Sequence, residues 1–323
     1  MKRIRSILSI LILLISIAGP ASASRFLTGL LTGCEQAGFL LPDSYTTDSA
    51  GKSVETAPEN LTHPVSGEMT VHFLDVGQGA AVLFQINDQV MIFDGGGRES
   101  SSFVVAYLKR LAIDQVDVMI ASHYDDDHLN GLVGILHTFP VRQVYDAGYA
   151  TDTRVYHSFK TFIQDQAIPV SVPEAGQSIS VGGATVTFIA PDSFGHLDEN
   201  DDSLAIRVEF GRTRLVIMGD STADAEQQML EQDLAAMVYY AAHHGSNGSN
   251  SKALLTEVNP DFVVISCGAE NDYGHPGEHA LSRIQASGAE LYRTGQQGTI
   301  VATSDGETIC WDQATCNDFT PGS

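Results

Sequence analysis

The sequence predicts a layered α/β domain, with two β-sheets packed face to face and helices on the outer faces. Three observations carry this. Short, apolar, β-branched segments arrive in two successive sets, each set runs into segments with helical spacing, and turn residues punctuate the joins.

The first set begins near Met69. Met69–Val76, Ala81–Ile86 and Gln89–Asp94 read as a meander of strands, separated by Gly-Gln-Gly and Asn-Asp turns. Ser102–Leu111 carries apolar residues at helical spacing and leads into Val116–Ser122, a buried strand; Leu129–Phe139 is helical again. After Val141 the pattern repeats. A helix over Arg154–Gln166 precedes strands at Ser178–Val181, Ala184–Ala190, Ser203–Phe210 and Thr213–Gly219. Helices at Ala223–Gln232, Ser251–Glu257 and Glu278–Ala286 then alternate with strands at Met237–Ala242, Asp261–Cys267, Glu290–Arg293 and Thr299–Ala302. These bounds predict a single domain over 69–309 with a C-terminal tail over 310–323. Cys310 and Cys316, six apart, suggest a local disulfide, whereas Cys267 in an apolar run reads as a buried thiol.

The chain's first two dozen residues read as a targeting device. Lys2, Arg3 and Arg5 give a basic start, Ile7–Ile17 an apolar stretch too short for a comfortable membrane span, and Ala21-Ser22-Ala23 a small-residue cleavage pattern. Cleavage after Ala23, with a secreted or periplasmic product, is the preferred expectation. Leu31-Thr32-Gly33-Cys34 is the rival, because it looks like a lipid-attachment box; Cys34 lies far from the apolar run, and Arg25 interrupts the approach. No other segment is apolar enough to span a bilayer. Residues 24–68, rich in Ser, Thr, Asp and Gly, read as a linker or N-terminal arm.

With 323 residues, 43% hydrophobic and 18% charged, the chain has the composition of a globular protein with a sizeable core. Its net charge is −23, and removing 1–23, with three basic and no acidic residues, takes it to −26. So acidic a surface repels polyanions and argues against non-specific nucleic-acid binding.

Ala121-Ser122-His123-Tyr124-Asp125-Asp126-Asp127-His128 carries the chemistry. An extended loop after a buried strand would point 123, 125 and 127 to one side, with His128 opening the next helix. Imidazole and carboxylate suit zinc, manganese or iron. A solvated acidic turn with incidental histidines is the bland alternative. Asp220, at the end of an apolar strand, needs a partner to offset desolvation; a cation supplies one, and a helix N-cap role for Ala223–Gln232 is the other reading.

His-x-Asp-x-Asp-His resembles the His-x-His-x-Asp-His signature of metallo-β-lactamase-fold hydrolases, with Asp125 in the second histidine's slot. His72-Phe73-Leu74-Asp75-Val76-Gly77-Gln78-Gly79, Asp94-Gly95-Gly96-Gly97 and Asn200-Asp201-Asp202-Ser203 narrow the likeness to the hydrolase domain of ComEC-type competence proteins. Met218-Gly219-Asp220, His243-His244-Gly245-Ser246 and Tyr273-Gly274-His275-Pro276 continue it in order, over about residues 70–303.

The resemblance implies a four-layer αββα sandwich and two divalent metal ions, zinc first and manganese as the alternative. It gives one ion to His123 and Asp125 and the second to Asp127 and His128, with Asp220 bridging and His243 as the later ligand. The third histidine of the first site has no counterpart; Asn200-Asp201-Asp202 offers only oxygen donors, which makes that site harder. Ala80 also follows Gly79 where an acidic residue is usual.

Hydrolysis by metal-activated water is the implied reaction, with Asp127 or Asp220 orienting the nucleophile and His244 or His275 stabilising or protonating the departing group. Asp75, Asp94 and Ser246 are candidates for fixing the imidazoles. The resemblance favours a phosphodiester substrate, DNA included; a small non-phosphate ester or amide is the alternative. Backbone amides of Gly245-Ser246-Asn247-Gly248-Ser249-Asn250 offer a phosphate cradle or, on the bland reading, a flexible turn with an N-cap. A non-catalytic binding module of the cell envelope is the reading from a different class. His72, His137, His63, His157, His196 and His279 read as structural or solvated.

Overall fold

Near-continuous burial along short strands marks a first sheet covered on both faces. β1 (Met69–Phe73), β2 (Val82–Ile86) and β3 (Gln89–Phe93) form the expected antiparallel meander. β4 (Val116–Ala121), β5 (Val141–Asp146) and β6 (Val170–Ser171) then add in parallel. Parallel neighbours need crossovers, supplied by α1 (Ser101–Arg110), α2 (Asp126–Thr138) and α3 (Arg154–Asp165). The chain's last strands, β14 (Ile300–Ser304) and β15 (Ile309–Trp311), return to this sheet beside β1, giving the order β15-β14-β1-β2-β3-β4-β5-β6.

The second sheet follows the same plan. β7 (Ser178–Val181), β8 (Ala184–Ala190), β9 (Ala205–Phe210) and β10 (Thr213–Met218) are antiparallel. β11 (Val238–Tyr240), β12 (Phe262–Ile265) and β13 (Glu290–Arg293) add in parallel through α4 (Ala223–Met229), α5 (Lys252–Val258) and α6 (Glu278–Ser287). The order is β13-β12-β11-β10-β9-β8-β7. A short α7 (Thr294–Gln297) follows β13. This computed structural model describes residues 67–322. The segment expected to direct export, nearly all of the expected arm, Cys34 and His63 lie outside the described residues.

Three apolar layers separate four layers of structure. Phe73, Phe84, Phe93, Phe188, Ile206, Ile217 and Val264 lie between the sheets. Leu83, Val104, Leu108, Leu132, Ile135 and Phe159 pack α1–α3 on the first sheet, and Val216, Leu254, Leu281 and Leu291 pack α4–α6 on the second. Each fully buried side chain of this kind contributes about 1.5–3 kcal/mol. The predicted αββα sandwich is therefore observed. Among the described residues, no helix is long and apolar enough to cross a membrane.

Several local expectations are corrected. β5, β6 and β15 went unread, because Val-Ser is too short for a period and the Val141–Asp146 run is only half apolar. The segment beyond residue 309 is no detached tail: β15 pairs with β14, Cys316 and Asn317 donate to the Leu291 carbonyl, and Gly322 donates to that of Pro276. The Cys310–Cys316 disulfide does not form. Cys310 sits on β15 opposite Thr303, while Cys316 remains a thiol whose Sγ donates to the Leu291 oxygen at 3.3 Å. Cys267 is buried as a thiol, as expected, and burial pushes it up to about 11.

Candidate metal centre

The strands place the candidate residues where open α/β sheets commonly bind ligands, beyond strand C-termini. Ser122 and His123 follow β4, Asp220 follows β10, His243 and His244 follow β11, and Ser266 follows β12. Two sheets contribute, and Leu204 N donating to the Ser122 carbonyl at 2.8 Å stitches their ends together.

The loop after β4 is shorter than the sequence suggested. Only 122–125 is non-helical; Asp125 is the N-cap, and α2 has begun by Asp126. Asp127 and His128 thus project from a helix's first turn, where carboxylates are favoured by the helix dipole. Two glycines let this helix settle. A Cβ on Gly131 would meet the Gly95 oxygen at 1.8 Å. Gly79, at φ +133°, would set a Cβ 2.3 Å from the Asp127 oxygen.

Asp94 organises two imidazoles at once. Its Oδ2 accepts from His128 Nδ1 at 2.8 Å and from Ser122 Oγ at 2.7 Å, and its Oδ1 accepts from Ser122 N at 2.8 Å. Ser122 Oγ, its own proton committed, accepts from His123 Nδ1 at 2.9 Å. Both rings therefore present an Nε2 lone pair. That of His123 is buried with no hydrogen-bond partner. His244 is set the same way, its Nδ1 donating to the Ser266 carbonyl at 3.0 Å.

These nitrogens meet carboxylates. His128 Nε2 lies 3.2 Å from Asp220 Oδ1 and 3.2 Å from His244 Nε2; His244 Nε2 lies 3.3 Å from Asp127 Oδ2 and 3.4 Å from Asp220 Oδ2. Two groups have ligand atoms mutually within 4.8 Å: His123, His128 and Asp220, and Asp127, His128 and His244. An Nε2 carries one lone pair, so His128 serves one group at a time. The donor set fits a divalent cation: nitrogen and carboxylate oxygen, converged, desolvated, with an orphan Nε2 aimed among them.

Without an ion, protons stand in. Burial opposes charge on His128 and His244, but Asp220 and its neighbouring carboxylates outweigh it, raising His128 well above its ordinary value and His244 to about 9. Burial likewise opposes ionisation of Asp220 and Asp127, and His128 and His244 overcome it, holding both carboxyls below the usual range.

The remaining predicted residues occupy a periphery. Asp125, side chain 54% exposed, stands 3.7 Å from His123 Nε2, and that imidazole holds its carboxyl low. His243 Nε2 is 3.7 Å from Asp220 Oδ2 and is not part of either converged group. His244 thus takes the inner position expected of His243. Both are in left-handed backbone, φ 49° and 54°, and such non-glycine conformations cost of order 1–3 kcal/mol each. Asp94, at φ 57°, is a third such residue here.

His275 is buried beside the pair, 5.5 Å from His243 and 6.1 Å from His244 between ring centroids, with Nδ1 unpartnered. Burial and the neighbouring imidazoles lower it to about 4, so at neutral pH it is uncharged.

Other expectations resolve differently. Asp220 does not cap α4; Thr222 stands at that N-cap. Asp201 accepts from Thr222 N, and Asp202 pairs with His196 Nδ1 at 2.6 Å; neither belongs to a converged group. Asp75 and Ser246 support their own turns rather than the imidazoles. The 245–250 amides form no phosphate cradle, because buried Glu226 accepts from Asn250 and Ser251 N and Ser246 takes Gly248 and Ser249. His72 is structural, bound to Tyr107 and Gln85.

An αββα sandwich carrying a His–Asp cluster across the C-terminal ends of both sheets defines a metallohydrolase-type protein. The chain belongs to the metallo-beta-lactamase superfamily, a superfamily of metal-dependent hydrolases whose profile matches residues 74–269. It is similar to Competence protein ComA of Neisseria gonorrhoeae, 28% identical over 251 residues, covering 76% of this chain and 33% of that protein. ComE operon protein 3 of Bacillus subtilis (strain 168) is 24% identical over 257 residues, covering 73% and 33%. The chain thus spans about a third of the length of these curated relatives, and the competence-protein resemblance holds. Among solved structures, the metallo-beta-lactamase fold protein YhfI from Bacillus subtilis shares the fold, with a TM-score of 0.52 at 14% identity, covering 74% of this chain and all of that one.

Proposed function

We propose that the protein is an exported, metal-dependent phosphodiesterase, with DNA within its substrate class. The carrying observation is the convergence of His123, Asp127, His128, Asp220 and His244, with His123 Nε2 buried and unpartnered. Export is supported by the basic-apolar-small pattern of residues 1–23. The phosphodiester is supported by the likeness to competence proteins.

Two cations, zinc first and manganese as the alternative, would be held by His123, Asp125 and Asp220 on one side and by Asp127, His128 and His244 on the other. Asp220 suits a shared ligand because its two oxygens face different histidines. Bound there, such ions supply Lewis acidity towards water and towards the phosphoryl oxygens. The protein does the rest. Asp94 and Ser122 hold two imidazoles in one tautomer, so no reorganisation is needed on ligation. Asp127, a third exposed, orients the attacking water by accepting its hydrogen bond. His275, uncharged, offers a hydrogen bond at Nδ1 to the departing oxygen.

Elemental analysis of natively purified protein, with turnover of bis(p-nitrophenyl) phosphate, tests this. Stoichiometric zinc or manganese with turnover, both lost in Asp220→Ala, is expected. Metal with turnover only on carboxylic esters or lactams replaces the substrate assignment; metal with no turnover on any ester leaves a binding module.

A further inference from the structure

Arginine is scarce in this acidic chain, and nearly every described one has a partner. Arg142, Arg207, Arg212, Arg214 and Arg293 pair with carboxylates, Arg110 lies over the Tyr107 ring, and Arg283 donates to backbone carbonyls. Arg98 and Arg154 are the exceptions: among the described residues, neither guanidinium has an ion pair, hydrogen bond or ring contact.

They share one cavity. A groove of about 610 Å³ is lined by Arg98, Arg154, Asn130, Thr153 and Ser158, and it reaches Asp125 at the edge of the metal centre. Arg98 comes from the loop after β3, and Arg154 from the first turn of α3. That loop abuts the centre: a Cβ on Gly97 would stand 3.7 Å from Asp127 Cα. Asp125 and Asp126 line the groove as well and balance the two guanidinium charges; with Asp125 serving a cation, as proposed above, two guanidinium groups face one remaining carboxylate.

We propose that this groove is a subsite for a phosphate of the substrate strand adjacent to the scissile linkage, held by Arg98 and Arg154. The site therefore selects a polyphosphodiester over an isolated diester. Guanidinium suits this role, since its planar fork meets phosphate with paired donors. The groove also answers the acidity of the surface: a strand repelled elsewhere is received where positive charge is unpaired and the ions lie next door. The proposal rests on the phosphodiesterase reading and narrows it.

The test uses metal-loaded protein, wild type and the Arg98→Gln, Arg154→Gln and double variants. Both residues are exposed, so the core is untouched. Binding of a fluorescent, cleavage-resistant phosphorothioate oligothymidylate is read by anisotropy over a salt series. Turnover of an ordinary oligothymidylate and of bis(p-nitrophenyl) phosphate is measured alongside. Each single variant is expected to weaken strand binding about tenfold. The double variant should flatten the slope of log K against log salt by about 0.7, the contribution of the one single-strand phosphate contact that is lost. Oligonucleotide kcat/KM should fall at least about tenfold more than that of the small diester. Wild-type protein that cleaves neither substrate overturns the phosphodiesterase reading, and anisotropy then judges the groove alone. No strand binding by wild type, or equal affinity and slope in the variants, overturns the groove. Inorganic phosphate competing as well as the strand also overturns it, marking a free-phosphate site.

Discussion

The two halves of the metal centre are built differently. The first-sheet side anchors His123 and His128 through Asp94 and Ser122, each ring held by a short hydrogen bond at Nδ1. The second-sheet side hangs His244 from one backbone carbonyl and sets it, with His243, in left-handed backbone. One side is a side-chain scaffold that shares a single left-handed anchor, Asp94; the other sets two consecutive histidines in strained backbone. A shared anchor makes two ligands depend on one carboxylate, whereas a strained segment depends on whatever over-determines it.

The largest expected effect breaks the scaffold side. His128 belongs to both converged groups, so His128→Ala should remove metal and turnover together, beyond the about 10–100-fold that losing an outer partner costs. Elemental analysis and kcat of folded protein check it; wild-type metal load would place the centre elsewhere.

Asp94→Asn comes next. Asparagine keeps the volume but weakens the acceptor serving both Ser122 and His128, so metal affinity should drop about 10–100-fold, read by competition with a chelator. An unchanged affinity would show that the two imidazoles need no common anchor.

On the strained side the comparison sharpens to neighbours. His244→Ala should cost more metal affinity than His243→Ala, because only His244 has its Nε2 among the converged atoms. The reverse ranking would restore His243 to the inner position.

The smallest effect concerns protons in metal-free protein. The folded pKa of His244, about 9, is raised above the unfolded value near 6.5. Its stabilising contribution is therefore complete below about pH 6.5 and lost as pH rises through 9. Metal-depleted protein should melt lower at pH 9.5 than at pH 6.5, each kcal/mol moving Tm by about 2–4 °C. Metal-loaded protein, with no proton on His244 to lose, should not show that step.

The sequence by itself determined most of the strands and helices and the donor types that converge, because periodicity and donor type are local properties. His123, Asp127, His128 and Asp220 were legible from one short motif and one strand-terminal carboxylate, and Asp94 only as one of three candidates for fixing the rings. Tertiary structure decided the rest. Asp94 reaches Ser122 and His128 across 28 and 34 residues, a pairing no local pattern encodes. Consecutive residues in positive-φ backbone send their rings to different places, and that conformation stays uncommon even for histidine, which is enriched there; hence His244, and not His243, lies inside. Cys316 bonds Leu291 instead of Cys310, and Arg98 meets Arg154 across a groove, because packing joins elements that the chain keeps far apart.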